Sequence, residues 1–487
     1  MKSMKPWSRY NTLFSSEKHG FYLFNALSGT MLELDRRHYE RSEAIRDGLD
    51  NPPDGLDSGF LKLLEEKGFL ATSEEDASSL MQLHYNRNAA CFGTSTLGLC
   101  ICPTLSCNFS CVYCYEHGRG KVKTMDTETV ETLVSFVKNL NDIRNLSVTW
   151  FGGEPTLSLE IVRELTYRFL ELFPGYGNAG MVTNAYLLDE TWIAVLDELR
   201  IGYIQVTLDG REAVHDCRRM LNGGGPTYRK IMENIDLLMN SRWQGNLAVR
   251  INVDRPNMDE FSSLREEILQ RYTGKKVSVY PGYVNTYPIH PYDRHCGLCT
   301  DEWSEFLLEG YNLKGIVPRG GFFPYPGYSN TCLATSRYGY VIGPAGEMYK
   351  CLEDVGNREM VVGSIFATEP LFNREMVARY STGVDPFTDI TCMECPVLPL
   401  CGGGCASKRL RAKYYGQEGL EYCSVLKRSL IPFLEAYIDT RRSLEICNQL
   451  LGKASGAEKL NGYRMVQPER KNLNLGKNPL ESMLKHD

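Results

Sequence analysis

Residues 96–114 read TLGLCICPTLSCNFSCVYC. The first half, Thr96–Thr104, is a short apolar run of strand-forming residues and reads as a buried β-strand. The second half sets cysteines at 107, 111 and 114, with no fourth at comparable spacing. A structural zinc site takes four protein ligands and closes its shell. Iron–sulfur clusters are likewise usually held by four thiolates. Three thiolates on a cubane leave one iron free for a ligand that reacts there. On spacing alone, zinc and coincidence stay open beside that reading.

Outward from this stretch, strands and helices alternate to about residue 285. LSVTWFGGE (146–154), AGMVTNAYL (179–187), YIQVTLDG (203–210), LAVRINVD (247–254) and KVSVYPGYV (276–284) are short β-rich runs. Between them lie helical patterns such as ETVETLVSFVKNL (128–140), with Val130, Leu133, Val134, Val137 and Leu140 on one face. Six βα units predict a parallel sheet curled into all or part of a (β/α)6 TIM-like barrel, over residues 95–300. Chemistry in such barrels sits at the C-terminal strand ends. Cys107–Cys114, Gly152–Glu154, Asn184 and Asp209 fall there.

The 487-residue chain is long enough for several domains, and its 43% hydrophobic and 23% charged residues suit a globular protein. A net charge of −6 favours neither nucleic acid nor a membrane surface as partner. The first residues carry no apolar signal region, so the protein reads as cytoplasmic. In that setting its 17 cysteines read as metal ligands rather than disulfides. Cys91, Cys100, Cys102, Cys217 and Cys447 are expected mostly to be buried apolar residues.

The cysteine loop and the segments after it resemble the radical S-adenosylmethionine (SAM) superfamily. CNFSCVYC matches its cluster loop, with the aromatic Tyr113 before the last cysteine. FGGEPTL (151–157) resembles the glycine-rich strand end that binds the methionine amine of SAM. Gly152 and Gly153 allow close backbone approach, and Glu154 offers a carboxylate to an ammonium. VTNAYLL and VTLDGREAVHDCRRMLNGGGPTY look like further family segments. The resemblance implies that Cys107, Cys111 and Cys114 hold a [4Fe–4S] cluster, and that Asn184, Thr207 and Arg219 line the SAM pocket. Arg219, or Arg218, would reach the SAM carboxylate with its guanidinium fork; Arg250 is a weaker candidate. Ala185 stands where such proteins often have glycine. The implied chemistry is reductive cleavage of SAM to a 5′-deoxyadenosyl radical that removes hydrogen from an unactivated carbon.

Downstream, Cys332, Cys351, Cys392, Cys395, Cys401, Cys405 and Cys423 form an array similar to the SPASM extension of these enzymes, expected over residues 310–450. By that resemblance Cys332, Cys351 and Cys405 hold a first auxiliary [4Fe–4S] cluster. Cys392, Cys395, Cys401 and Cys423 hold a second, making three clusters in all. The first then lacks a fourth ligand, for which Cys299, ahead of Cys296, is the candidate.

Residues 1–90 hold no cysteine. GFYLFNALSGTMLEL reads as two strands around a turn at Asn25–Gly29, and RHYERSEAIRDGL and SGFLKLLEEKGFL read as short helices, the second stopped by Gly68. This resembles a winged-helix-like module that captures leader peptides by strand addition; a structural cap is the other reading. Residues 451–487 read as a tail. The chain is thus expected to be a maturase that oxidatively crosslinks a ribosomally made precursor peptide, through a thioether or a carbon–carbon or carbon–oxygen bond. A flavodoxin or ferredoxin would supply electrons. A sulfatase-maturase-like oxidation of Ser or Cys, a peptide epimerase using Cys217, Cys296 or Cys299 as hydrogen donor, and a non-catalytic iron–sulfur electron carrier are the alternatives. In the sulfatase-maturase group an aspartate follows the cysteine matching Cys351; here Leu352 does, and acids come only at Glu353 and Asp354.

Overall fold

The computed structural model describes residues 4–49, 58–116, 123–284, 296–318, 321–327, 332–417, 420–450 and 462–466. The expected N-terminal hairpin is present as β2 (Gly20–Asn25) and β3 (Thr30–Leu34), and a further strand, β1 (Asn11–Ser16), pairs antiparallel with β2. Gly68, at φ +77°, follows the helix Ser58–Glu66 where the sequence places its stop. The helix Ser73–Cys91, not anticipated from periodicity, starts in a capping box between Thr72 and Glu75 and runs to the first strand of the next sheet.

The edge of β3 is covered from the far end of the chain. Tyr463–Met465 pairs with it antiparallel, Tyr463 opposite Leu34 and Met465 opposite Leu32. Part of the expected 451–487 tail is therefore a fourth strand. Unpaired backbone groups on a sheet edge attract such a partner, and two side-chain contacts hold it. Arg464 Nε donates to Glu33 at 2.6 Å, and the Tyr463 ring packs 5.1 Å from that of Phe60. Elsewhere in 451–487 the expectation lies outside the described residues.

The six expected strands form a consecutive parallel run. They are β4 (Thr96–Thr104), β6 (Asn145–Gly152), β7 (Ala179–Thr183), β8 (Ile201–Leu208), β10 (Asn246–Val253) and β11 (Val277–Tyr283). Helix Thr127–Lys138 begins at the N-cap Asp126 and buries Val130, Leu133, Val134 and Val137 against this sheet. Each such side chain contributes roughly 1.5–3 kcal/mol. Leu140 lies past the C-cap, Asn139, yet packs on the same core. The sheet does not end at the expected boundary near 300–310. Gly339–Ile342 (β12) joins β4 in parallel, and β13 (Glu347–Tyr349) and β14 (Gly363–Ser364) continue it antiparallel, giving nine strands. Beyond it the chain runs mostly in short turns and helices. The last long helix, Leu426–Leu450, breaks at Ser429, three residues before Pro432, whose ring and missing N–H disrupt that turn. Among the described residues no helix is long and apolar enough to cross a membrane.

Candidate active site

The cysteine loop is fixed by a ribbon that the sequence did not reveal. Phe109–Cys111 (β5) pairs antiparallel with Arg219–Leu221 (β9), placing Cys111 opposite Arg219. Val112 N donates to Arg218 O at 3.0 Å, and Asn222 Nδ2 donates to Cys107 O at 2.6 Å. The Phe109 N–H points at Cys107 Sγ, 3.4 Å away. Burial, with the nearby Glu154 carboxylate, pushes the Cys107 thiol up to about 12, and burial raises Cys111 too. Thiolate is the form that binds metal, so loading metal here would release protons.

Gly152 and Gly153 also have a structural reason to lack side chains. A Cβ on Gly152 would meet Thr104 O at 2.3 Å, and one on Gly153 would meet Ser106 O at 2.4 Å. What they admit is the backbone entering the cysteine loop: Gly153 N donates to Thr104 O and Glu154 N to Ser106 O, both at 3.0 Å. Glu154 is fully buried. Its Oε1 accepts from Thr156 N, Thr156 Oγ1 and Thr183 Oγ1 at 3.0, 2.6 and 2.6 Å, and its Oε2 from Asn184 N at 2.7 Å. The carboxylate therefore ties the ends of β6 and β7 together, leaving Oε2 with capacity for one further donor. Asn184 extends the tie, its Nδ2 donating to Asn108 Oδ1 at 2.8 Å.

Asp209, at the end of β8, organises the opposite side. It is fully buried, accepts from Tyr113 Oη at 2.6 Å, and pairs with Arg218 Nε at 2.8 Å. Arg218 Nη2 is also bound by Asp254 at 2.7 Å, so this guanidinium is committed to the scaffold. Arg219 behaves differently. Its Nη1 donates to Tyr113 Oη at 2.8 Å, its Nε is buried without a partner, and the side chain faces a cavity. Of the two arginines, Arg219 is the one that lines the cavity. The His215–Asp216 pair is structural: His215 Nδ1 accepts from Asp209 N, and Asp216 Oδ1 accepts from Thr227 N and Tyr228 N at the start of helix Tyr228–Asn240.

That cavity holds about 770 Å³. One wall carries Cys107, Cys111, Cys114, Tyr113, Gly152, Gly153, Glu154, Asn184, Thr207, Arg219 and Arg250. Cys332, Cys351, Cys401, Cys405 and Cys423 border it elsewhere. Cys392, Cys395, Cys401 and Cys423 together line a second, smaller pocket. Among the described residues no three His, Cys, Asp or Glu side chains converge on a point for a single ion, so the thiols stand around open volume. Cys299 does not line the described cavity with Cys332, Cys351 and Cys405. It is exposed and caps the helix Thr300–Lys314. Cys91, Cys100 and Cys102 are buried as expected, whereas Cys217 is exposed; the Cys447 side chain lies outside the described residues.

Several contributors were not anticipated. Asn252 Nδ2 donates to Tyr113 Oη at 2.9 Å. Lys350 is buried with its ammonium on Gly339 O at 2.7 Å, and burial lowers it to about 7. Asn108 presents a buried Nδ2 without a partner. Asn252 could have been found as the polar residue near the end of a strand; nothing local marks the other two. The unpartnered Arg219 Nε, on the cavity wall, is a donor that a carboxylate would satisfy, and the three thiols there could hold a metal cluster.

Comparison with known proteins points the same way. Residues 101–268 match the family described as the radical SAM superfamily. A serine-type anaerobic sulfatase-maturating enzyme of Bacteroides thetaiotaomicron is 22% identical over 386 residues, 70% of this chain and 90% of that protein. A cysteine-type anaerobic sulfatase-maturating enzyme of Clostridium perfringens is 26% identical over 366 residues, covering 67% and 95%. Among solved structures, native anSMEcpe with bound AdoMet superposes with a TM-score of 0.55 at 20% identity, over 73% of this chain and all of that one. That likeness establishes the fold.

Proposed function

Starting from a radical SAM enzyme, which uses SAM and a [4Fe–4S] cluster, we propose that this chain oxidatively modifies a precursor peptide, joining two of its residues by a crosslink. The observation that carries the reading is the shared cavity. The Cys107–Cys114 loop and the downstream thiols Cys332, Cys351 and Cys405 border one volume. A substrate radical formed there has a second redox site within the same walls.

Cys107, Cys111 and Cys114 hold the radical cluster in this reading. Arg219 would meet the SAM carboxylate, Glu154 Oε2 its ammonium, and Gly152, Gly153, Thr207, Asn184 and Tyr113 would line the rest of the pocket. SAM bound there supplies, on one-electron reduction, a radical able to take hydrogen from an unactivated carbon. The protein's own part is to hold the substrate against that wall and keep water out. Cys332, Cys351 and Cys405 would hold a first auxiliary cluster, with Cys299 the candidate fourth ligand. Cys392, Cys395, Cys401 and Cys423 would hold a second. A flavodoxin- or ferredoxin-type donor and a cytoplasmic location fit so many reduced thiols.

The N-terminal module is the leader-binding part in this reading. A leader strand would join its sheet at β3 by displacing Tyr463–Met465, or at β1 on the opposite edge. A chain truncated after residue 461 separates the two: tighter leader binding marks β3, unchanged binding marks β1.

Oxidation of a single Ser or Cys side chain is the second reading, favoured by the sulfatase-maturating relatives. Of the two acids after Cys351, Glu353 borders the cavity, whereas Asp354 is buried on Arg411 and Tyr380. Peptide epimerisation draws less support, because Cys217, Cys296 and Cys299 are not on the described cavity wall. The test is mass spectrometry of a candidate precursor peptide after reaction in deuterated water. A crosslink loses two hydrogens and yields no aldehyde to hydrazine; a hydrazine-reactive product selects the second reading, and solvent deuterium on carbon would sink both. Replacing Cys392 and Cys395 by Ala should leave deoxyadenosine formation measurable and suppress the product.

A further inference from the structure

The four-cysteine pocket has a wall residue that the reaction scheme above does not use. Arg409, on the helix Ala406–Tyr414, is 3% exposed. Its Nη1 and Nη2 each lie 3.2 Å from Cys392 Sγ. Nη2 also donates to Asp389 Oδ2 at 2.5 Å, Nη1 reaches Gly403 O at 3.4 Å, and the guanidinium lies 5.0 Å from the centre of the Tyr422 ring. Arginine–carboxylate pairs are frequently bidentate, with both arms of the fork on one carboxylate. Here Asp389 takes one arm, and both terminal nitrogens are aimed at a sulfur. A second cation stands across the pocket, Lys427 Nζ being 3.8 Å from Cys423 Sγ.

Hydrogen bonds to cluster sulfurs and nearby positive charge stabilise the more negative, reduced state, and so raise the reduction potential. Desolvation strengthens the effect, because the guanidinium is screened by little water. We propose that Arg409 raises the reduction potential of an iron–sulfur cluster held by Cys392, Cys395, Cys401 and Cys423, making that cluster the acceptor of the electron released in product formation. As the new bond forms, the substrate radical would give one electron to that cluster and the attacking group one proton to solvent, and no bond to the protein would change. Asp389 and Tyr422 are positioning residues that hold the guanidinium against Cys392. The inference rests on the proposed second auxiliary cluster.

The test is a redox titration followed by electron paramagnetic resonance on the full-length, anaerobically reconstituted chain. Replacing Cys107, Cys111 and Cys114 by Ala leaves only auxiliary signals. In this background Arg409→Gln should make one cluster harder to reduce by about tenfold in the reduced-to-oxidised ratio, a fall of about 59 mV for a one-electron couple. Arg409→Lys keeps the charge but loses the fork, and should shift the same signal by less. An unchanged potential at full iron content in Arg409→Gln overturns the proposal. If that variant loses iron, an unchanged potential in Arg409→Lys overturns it equally. The underlying cluster reading is tested separately, by whether Cys392→Ala with Cys395→Ala lowers iron content at all.

Discussion

The two groups of cysteines are built on opposite principles. The Cys107–Cys114 loop sits at the C-terminal edge of a parallel sheet, and its partners come from distant segments: Asn184 at the end of β7 bonds Asn108, Asp209 at the end of β8 bonds Tyr113, β9 pairs with β5, and Gly153 and Glu154 after β6 hold the backbone leading in. The four-cysteine pocket is made almost wholly of one stretch, 391–409, closed by Tyr422, Cys423 and Lys427. Its backbone is shaped by three successive glycines, Gly402, Gly403 and Gly404, at φ +60°, +94° and +68°. A site assembled from distant strand ends depends on sheet register. One assembled from neighbours depends on turn chemistry. The first should tolerate local change poorly only where strands meet, the second wherever a turn must bend.

The largest effect tests the first site directly. Replacing Cys107, Cys111 and Cys114 by Ala should remove about four irons and abolish SAM cleavage while leaving the downstream sites loaded; normal turnover would break the assignment. Gly404→Ala is the matching probe of the second. Its new Cβ would meet Tyr422 O at 1.6 Å, at a left-handed φ. We expect loss of about four irons with SAM cleavage retained, and full iron content would show that the turn gives way instead.

A smaller effect sharpens the contrast through Glu154. Glu154→Ala strips one acceptor from four buried donors and should cost about 3 kcal/mol or more, read by calorimetry of the cluster-free chain without SAM. Unchanged stability would mean that the strand ends need no such tie. Smallest is Ala185→Gly. Ala185 holds φ +62°, with Asn234 Nδ2 donating to its carbonyl at 2.9 Å. The αL cost of roughly 1–2 kcal/mol is offset by the extra unfolded-chain freedom of glycine, about 0.4–1 kcal/mol. Thermal unfolding should rise by no more than a few degrees, and a fall would show that the methyl group is needed for packing.

What could be read ahead of the structure follows from the range of each signal. The six parallel strands, helix 127–138 and the placing of Gly152, Asn184 and Asp209 at strand ends came from patterns spanning ten or so residues, which side-chain period alone reports. The same holds for the cysteine array at 392–405, whose spacing is itself the turn geometry. The joining of Cys111 to Arg219 across β5 and β9 is set by register between segments a hundred residues apart, which no local pattern carries. So too are the hydrogen-bonded pairing of Arg218 with both Asp209 and Asp254, where Arg219 comes only within 3.9 Å of Asp209, and the turning of Arg409 toward Cys392. Two adjacent arginines look alike in sequence; burial beside two carboxylates makes one of them scaffold and leaves the other facing the cavity. The domain ends were decided in three dimensions for the same reason. Gly339–Ile342 continues the barrel sheet and Tyr463–Met465 closes the N-terminal one, because an open strand edge takes the nearest chain able to satisfy its hydrogen bonds, however distant in sequence.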